Sequence, residues 1–237
     1  MSDMIYRINS IYSATEGEGI HIGSPQVFIR FQGCNIGCSN CDSKDTWSFR
    51  GGQVLTSEIL QDALKKQGFS RQKRRISITG GDPLDPFHRE SLLELIKILK
   101  EQKAWINIEA AGNIVDDEVF ELVDFISFDF KTPSTKVSTP ISNIVDVVKK
   151  YHHKLQVKSV IFDQHDFDFV SEAKAKVYTS CSDIIFPWIL TPVFNYGEDF
   201  PKERVHHVAR WNEARGSHFR VISQQHKWLH GPNKKFI

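Results

Sequence analysis

The chain has 237 residues, 40% of them hydrophobic and 25% charged, with a formal net charge of +1. That size suits one domain spanning 1–237 with a well-filled core, and the balanced charge gives no electrostatic footprint for direct nucleic-acid binding. No apolar run reaches the roughly 20 residues needed to span a bilayer, no signal-peptide h-region opens the chain, and four cysteines, three of them clustered, do not describe a disulfide framework. A reducing, cytoplasmic setting without a membrane partner is the expectation, with Cys181 as a small buried side chain.

In chain order, runs rich in β-branched and aromatic residues predict strands at Val27–Phe31, Arg75–Thr79, Trp105–Glu109, Phe125–Phe130, Leu155–Phe162, Ile184–Leu190 and Phe219–Ile222. Helical periodicity falls between many of them. Thr56 or Ser57 can cap a helix whose Ile59, Leu60, Ala63 and Leu64 share a face, with Gly68 to stop it. Leu92, Leu93, Ile96 and Leu99 form a second stripe after Pro86. Shorter helices are expected at Asp116–Asp124 and Asn143–Tyr151, and two more at Val170–Tyr178 and Lys202–Arg215. The basic run Arg71–Arg75 reads as a solvated loop, and His88, His152, His153, His165, His206 and His207 as surface residues without metal-site spacing.

Strand–helix alternation argues for right-handed crossovers and an α/β fold with a mainly parallel sheet. In such folds reactive residues gather at the C-terminal ends of strands. The motifs of this chain obey that rule: Cys34 follows the first predicted strand, Thr79-Gly80-Gly81-Asp82-Pro83 the second, Glu109 ends the third, and Lys131 the fourth.

The most informative stretch is Phe31-Gln-Gly-Cys34-Asn-Ile-Gly-Cys38-Ser-Asn-Cys41-Asp42-Ser43. Three thiolates at C-x3-C-x2-C spacing, with no fourth nearby, can hold three irons of a 4Fe–4S cluster and leave the fourth iron open to a ligand. A structural zinc site would want four closed ligands, usually as two separated pairs; a zinc knuckle completed by a distant His is the alternative. This loop resembles the signature of the radical S-adenosylmethionine (SAM) superfamily. The ordered set Thr15-Glu16-Gly17-Glu18-Gly19, Val27-Phe28-Ile29-Arg30, Cys41-Asp42-Ser43, Thr79 to Pro83, Ile108-Glu109 with Gly112, and Gln225-His226 resembles more closely the 7-carboxy-7-deazaguanine synthase family.

The resemblance implies an abbreviated, partial radical SAM β/α barrel, usually homodimeric, that uses a 4Fe–4S cluster, SAM and Mg2+. It implies conversion of 6-carboxy-5,6,7,8-tetrahydropterin to 7-carboxy-7-deazaguanine, begun when a 5′-deoxyadenosyl radical takes hydrogen from C6 and ended by loss of ammonia. An electron donor such as flavodoxin or ferredoxin is implied too. Carried over by position, Cys34, Cys38 and Cys41 ligate the cluster and Ser43 magnesium. SAM contacts fall to Asn40, Asp42, Gly80, Gly81 and Asp82, where Asp82 replaces the usual Glu. Asp129, Phe130 and Lys131 stand for a family Ser-Pro-Lys, and Thr191 and Pro192 for a Gln-Pro. Pterin contacts fall to Thr15, Glu16, Gly17, Glu18, Arg30, Thr79, Glu109, His226 and Ile237, with a tail expected to fold back across the sheet mouth. Carboxylates suit the N–H donors of an aminopyrimidinone edge, and an Arg fork suits the 6-carboxylate.

Two rivals remain at this stage. A glycyl-radical activating enzyme shares the cysteine spacing but acts on a protein chain. An iron–sulfur or zinc interaction module would make no 5′-deoxyadenosine.

Overall fold

The structure, a computed structural model, describes residues 4–182, 184–195, 197–231 and 233–234. Its elements run β1 (Ile5–Thr15), β2 (Pro25–Phe31), β3 (Gln53–Thr56), α1 (Ser57–Lys66), β4 (Arg75–Gly80), α2 (Arg89–Glu101), β5 (Trp105–Ala110), α3 (Asp117–Leu122), β6 (Phe125–Asp129), α4 (Ile141–Tyr151), β7 (Leu155–Ile161), α5 (Gln164–Ser180), β8 (Trp188–Pro192), α6 (Lys202–Ala214), β9 (Arg220–Val221) and α7 (Gln225–His230). The nine strands form one open sheet in the order β3-β1-β2-β4-β5-β6-β7-β8-β9. From β2 to β9 every pairing is parallel, as the alternation implied. The partial barrel is the expected fold.

β1 and β3, which the sequence pattern did not reveal, add an antiparallel edge. The register of β1 on β2 slips between Ile8 and Ser10, which breaks the two-residue alternation that marks a strand. The strand predicted at Ile184–Leu190 is shifted to Trp188–Pro192, and the helix predicted at Val170–Tyr178 extends back to Gln164, where Asp163 caps it by accepting from the Asp166 amide at 3.0 Å.

Local chemistry explains the helices. Thr56 caps α1 by accepting from the Ile59 amide, and Gly68, at φ 81°, supplies the left-handed turn that ends it. Leu60 and Leu64 of α1 and Leu92, Leu93, Leu95, Ile96 and Leu99 of α2 are buried in a core shared with Ile29, Ile76, Ile106, Ile126 and Val157 of the central strands. Truncating any one of these to Ala would cost about 2–5 kcal/mol, so the strand ends that carry the motifs are rigidly held. His88 is a correction to the expectation of a surface residue. It is 1% exposed, tilted against Phe31 and stacked on Phe49, because it sits at the start of α2 over the sheet. Arg75 likewise leaves the solvated loop, with its guanidinium 3.5 Å from the centre of the Trp105 ring.

Candidate active site

The C-terminal strand ends open into a cavity of about 720 Å3, within the range of roughly 300–1,000 Å3 typical of ligand sites. Cys34, Cys38, Cys41, Asn40, Asp42, Ser43, Gly80, Gly81, Asp129, Phe130 and Lys131 line it, together with Thr15 to Glu18, Arg30, Thr79, Glu109 and His226. The sequence scattered these residues over two hundred positions, and the fold gathers them at one mouth.

The cysteine loop is built by backbone pairing. Gly33 N donates to Thr46 O at 2.7 Å, Cys34 N to Trp47 O at 3.1 Å, and Ser39 N to Thr135 O at 2.9 Å. The Gly80-Gly81 turn is laid directly on it: Gly81 N donates to Phe31 O at 3.1 Å and Asp82 N to Gly33 O at 3.0 Å. A Cβ on Gly81 would collide with the Gly33 carbonyl and lie 2.8 Å from Cys34 Cβ, so only glycine permits this approach.

The three cysteines are half-buried and free, and burial raises the Cys34 and Cys38 thiols above their ordinary range. Ligands of one tetrahedral zinc, with Zn–S near 2.3 Å, would bring their sulfurs to roughly 3.8 Å of one another. Among the described residues the set of His, Cys, Asp and Glu atoms converging within 4.8 Å is Asp163, His165 and Asp166, not the cysteines. That acidic pair caps α5: the Asp166 carboxylate accepts from the Ser134 and Phe162 amides. A wider triangle of sulfurs suits a cluster, where each thiolate takes a different iron. The donor set therefore fits a 4Fe–4S cluster and not a single ion.

Three expected contacts are not at the cavity wall. Asp82 is 2% exposed and turns back to accept from the Leu84 amide at 3.1 Å. Its short side chain closes its own turn, and burial raises its carboxyl to about 6. Thr191 and Pro192 are buried within β8, and Val193, Phe194 and Asn195 line the cavity in their place. Ile237 lies outside the described residues.

A charge network runs among the lining residues. Lys158 of β7 donates to Glu18 Oε2 at 3.0 Å and Glu109 Oε2 at 2.8 Å, and lies 3.9 Å from Asp129. Burial alone would lower this ammonium, but Glu109, Glu18 and Asp129 hold it well above its usual value. Burial would likewise raise Glu18, yet Lys158, His226 and the Gln224 amide, which donates at 2.7 Å, keep it well below the carboxylate range. Glu16 behaves in the opposite way. Burial, then Glu109, push it up to about 7 against the pull of Lys158 and Gln26. Its oxygens accept from Gln26 Nε2 at 2.7 Å and from the Glu18 amide at 3.1 Å, so Glu16 braces the loop that presents Glu18.

Arg30 donates to Ser43 Oγ at 2.7 Å and to the Tyr12 hydroxyl at 2.9 Å. The start of α7 lies at the mouth: Gln225 N donates to Gly17 O at 2.9 Å, His226 packs on Gly17, and Lys227 pairs with Asp42 at 3.3 Å. Burial lowers the His226 imidazole. Lys158, Lys227, Gln224 and Tyr12 were missed by sequence reasoning. A lysine inside the apolar run of β7 was a usable signal, because a charge on a central strand must find partners.

Residues 15–126 match a family model described as "4Fe-4S single cluster domain". The chain is similar to the 7-carboxy-7-deazaguanine synthase of Thermoplasma acidophilum, at 29% identity over 94% of this chain and 97% of that one. It is also similar to that of Aquifex aeolicus, at 35% identity over 53% of each. Among solved structures it resembles the crystal structure of QueE from Escherichia coli, with a TM-score of 0.68, 22% identity, and 94% and 95% of the two chains covered.

Proposed function

We propose that the chain is a member of the 7-carboxy-7-deazaguanine synthase family of radical SAM enzymes, to which it is similar over 94% of its length, and that it converts 6-carboxy-5,6,7,8-tetrahydropterin to 7-carboxy-7-deazaguanine with loss of ammonia. When bound, the 4Fe–4S cluster and SAM supply a hydrogen-abstracting carbon radical. The observation that carries the reading is that one cavity is lined by the three cysteines together with Glu18, Glu109 and Arg30. A substrate seated there lies within reach of what the cysteine loop holds, in the oriented contact such chemistry needs.

Cys34, Cys38 and Cys41 would hold the cluster. Gly81, Asn40, Asp42 and the Asp129–Lys131 pair, 2.7 Å apart, would face SAM. Glu18 and Glu109, as acceptors, would take the N–H donors of the aminopyrimidinone, and the Arg30 fork would take the 6-carboxylate. The half-buried His226 and α7 would shed water from the mouth and hold the pterin in place.

Magnesium belongs to the proposal through Ser43. Its hydroxyl donates to Asp42 Oδ1 at 3.1 Å and accepts from Arg30, which leaves one lone pair for a hard cation. The guanidinium opposes a second positive charge at that oxygen. Magnesium at Ser43 thus goes with transfer of Arg30 to the substrate carboxylate. An external one-electron donor such as flavodoxin or ferredoxin, and a homodimer, belong to the same reading and rest on the family resemblance.

The test is anaerobic reconstitution with iron and sulfide, then incubation with SAM, dithionite and the carboxytetrahydropterin. The expected outcome is 5′-deoxyadenosine and a product of the mass of 7-carboxy-7-deazaguanine. Formation of 5′-deoxyadenosine with the pterin untouched would reject this substrate.

A further inference from the structure

A lysine buried among carboxylates is a poor stabilising device. Desolvation costs of the ions offset most of their attraction, and an apolar side chain on a central strand would serve packing as well. Lys158 is 9% exposed, in the middle of β7, yet its ammonium group reaches the cavity and ties two elements far apart in sequence, the loop after β1 and the end of β5.

We propose that Lys158 is a specificity-determining positioning residue, which fixes Glu18 and Glu109 as a paired, acceptor-only reader of the donor edge of an aminopyrimidinone. The inference rests on the pterin reading above and adds a residue to it.

Hydrogen-bond accounting carries the argument. Glu18 Oε2 and Glu109 Oε2 each accept from Lys158, Glu18 Oε1 accepts from Gln224 Nε2, and Glu109 Oε1 accepts from Asn107 Nδ2 at 2.8 Å. Every one of the four oxygens thus holds one N–H donor, and each keeps a lone pair for a ligand. A proton on either carboxyl would have to sit beside one of those donors, and would turn an acceptor into a donor towards the ligand.

The groups around this pair are named from every side. Glu16 comes from the same loop, Asp129 and Lys131 from the end of β6, His226 and Lys227 from α7, and Asp42 from the cysteine loop. Lys131 is engaged by Asp129 and Lys227 by Asp42. Lys158 is therefore the cation that Glu18 and Glu109 share. Without it, Glu18 loses the largest influence that holds its carboxyl down, and the two carboxylates face each other with no shared cation.

A ligand that presents two N–H donors is matched by this pair. The 2-oxo analogue of the pterin presents a carbonyl at one of those positions and meets an acceptor, which costs far more than a missing contact. Lys158 thus sets discrimination between 2-amino and 2-oxo rings.

The experiment is equilibrium titration of the reconstituted, SAM-loaded protein with the carboxytetrahydropterin and with its 2-oxo analogue, anaerobically and without reductant, from pH 6.5 to 9. Lys158→Met and Lys158→Gln are compared with the parent and with Lys158→Arg. All four proteins carry Glu16→Gln, because Lys158 also acts on the Glu16 carboxyl, and the ratio of Kd values, variant over parent, is the readout. Loss of charge-assisted hydrogen bonds makes that ratio about 10–100 at pH 6.5 for Met and Gln, falling as pH rises and Glu18 ionises. Their preference for the 2-amino ring shrinks at the same time, while Lys158→Arg stays within about threefold of the parent. A ratio that is near one, or large but flat with pH, overturns the proposal. If Met does not fold, Gln, which can still donate to Glu109, decides on the same criteria. A parent protein that binds no pterin would reject the substrate reading itself, a separate outcome from a parent that binds it while the variants are unaffected.

Discussion

Gly17 packs directly on His226 at the mouth, and Gly17→Ala probes that contact with a single methyl group. The backbone of Gly17 is not left-handed, so alanine is sterically allowed there and the effect comes from contact alone. The added Cβ would overlap His226 Nδ1 and stand 2.9 Å from Cγ and 3.1 Å from Cβ of that ring. Ordinary contact begins near 3.4 Å, so the imidazole must swing aside, and with it the α7 start that Gln225 anchors to Gly17 O. Overpacking of this kind costs about 1–3 kcal/mol. Spent against closure of the tail on substrate, that is about a 5- to 150-fold rise in KM for the pterin, with the iron content of the reconstituted protein unchanged. The assay is steady-state turnover at saturating SAM, paired with the double variant Gly17→Ala, His226→Ala. Deleting the ring removes the overlap, so the double variant should be no worse than His226→Ala alone. Equal KM for Gly17→Ala and the parent, or strictly additive losses in the double variant, would refute the packing argument.

Cys34→Ala, Cys38→Ala and Cys41→Ala should each abolish the cluster absorbance after anaerobic reconstitution. Cys181→Ala should keep it, since Cys181 is buried at the end of α5, where its thiol donates to the Val145 carbonyl of α4, and does not line the cavity; cluster loss in Cys181→Ala alone would contradict the ligand assignment. Ser43→Ala should keep cluster and SAM binding while turnover loses or shifts its dependence on added magnesium, and an unaltered magnesium titration would remove Ser43 as the ligand. Glu16 binds a proton in the folded state, between its ordinary 4.5 and about 7, that the unfolded chain has already released. The parent therefore loses stability as pH climbs through that window, by on the order of 2–3 kcal/mol once above it. Glu16→Gln lacks that ionisation, so its melting temperature should gain on the parent between pH 5 and pH 8, and a difference that stays constant with pH would show that Glu16 does not titrate there.

The parallel core was legible because each of its strands is a short β-branched or aromatic run ending in a chemically marked turn, as Ile76–Ile78 does at Gly80-Gly81. β1 was hidden for a physical reason. One edge of its register slips and much of its length is half-buried, so Ile5 to Thr15 shows neither clean alternation nor an apolar block. β3, only four residues long, owes its existence to pairing with β1 rather than to its own pattern. The cysteine loop, Arg30, Glu18 and Glu109 were legible from spacing and family likeness. Lys158 and Lys227 were not, because their meaning lies in partners 140, 49 and 185 positions away in sequence (Glu18, Glu109 and Asp42). Asp82 and Thr191 mark the opposite failure. Motif position put them at the wall, while a shortened side chain and a buried strand position turned them away.

The central claim is that one cavity holds the pterin against the ligand of the cysteine loop, and isotope transfer tests it most directly. The carboxytetrahydropterin carrying deuterium at C6 is incubated anaerobically with the reconstituted protein, SAM and dithionite, and the 5′-deoxyadenosine is examined by mass spectrometry. Deuterium in the 5′-deoxyadenosine, formed together with 7-carboxy-7-deazaguanine, is the expected result. Unlabelled 5′-deoxyadenosine alongside intact, fully deuterated pterin would contradict the account.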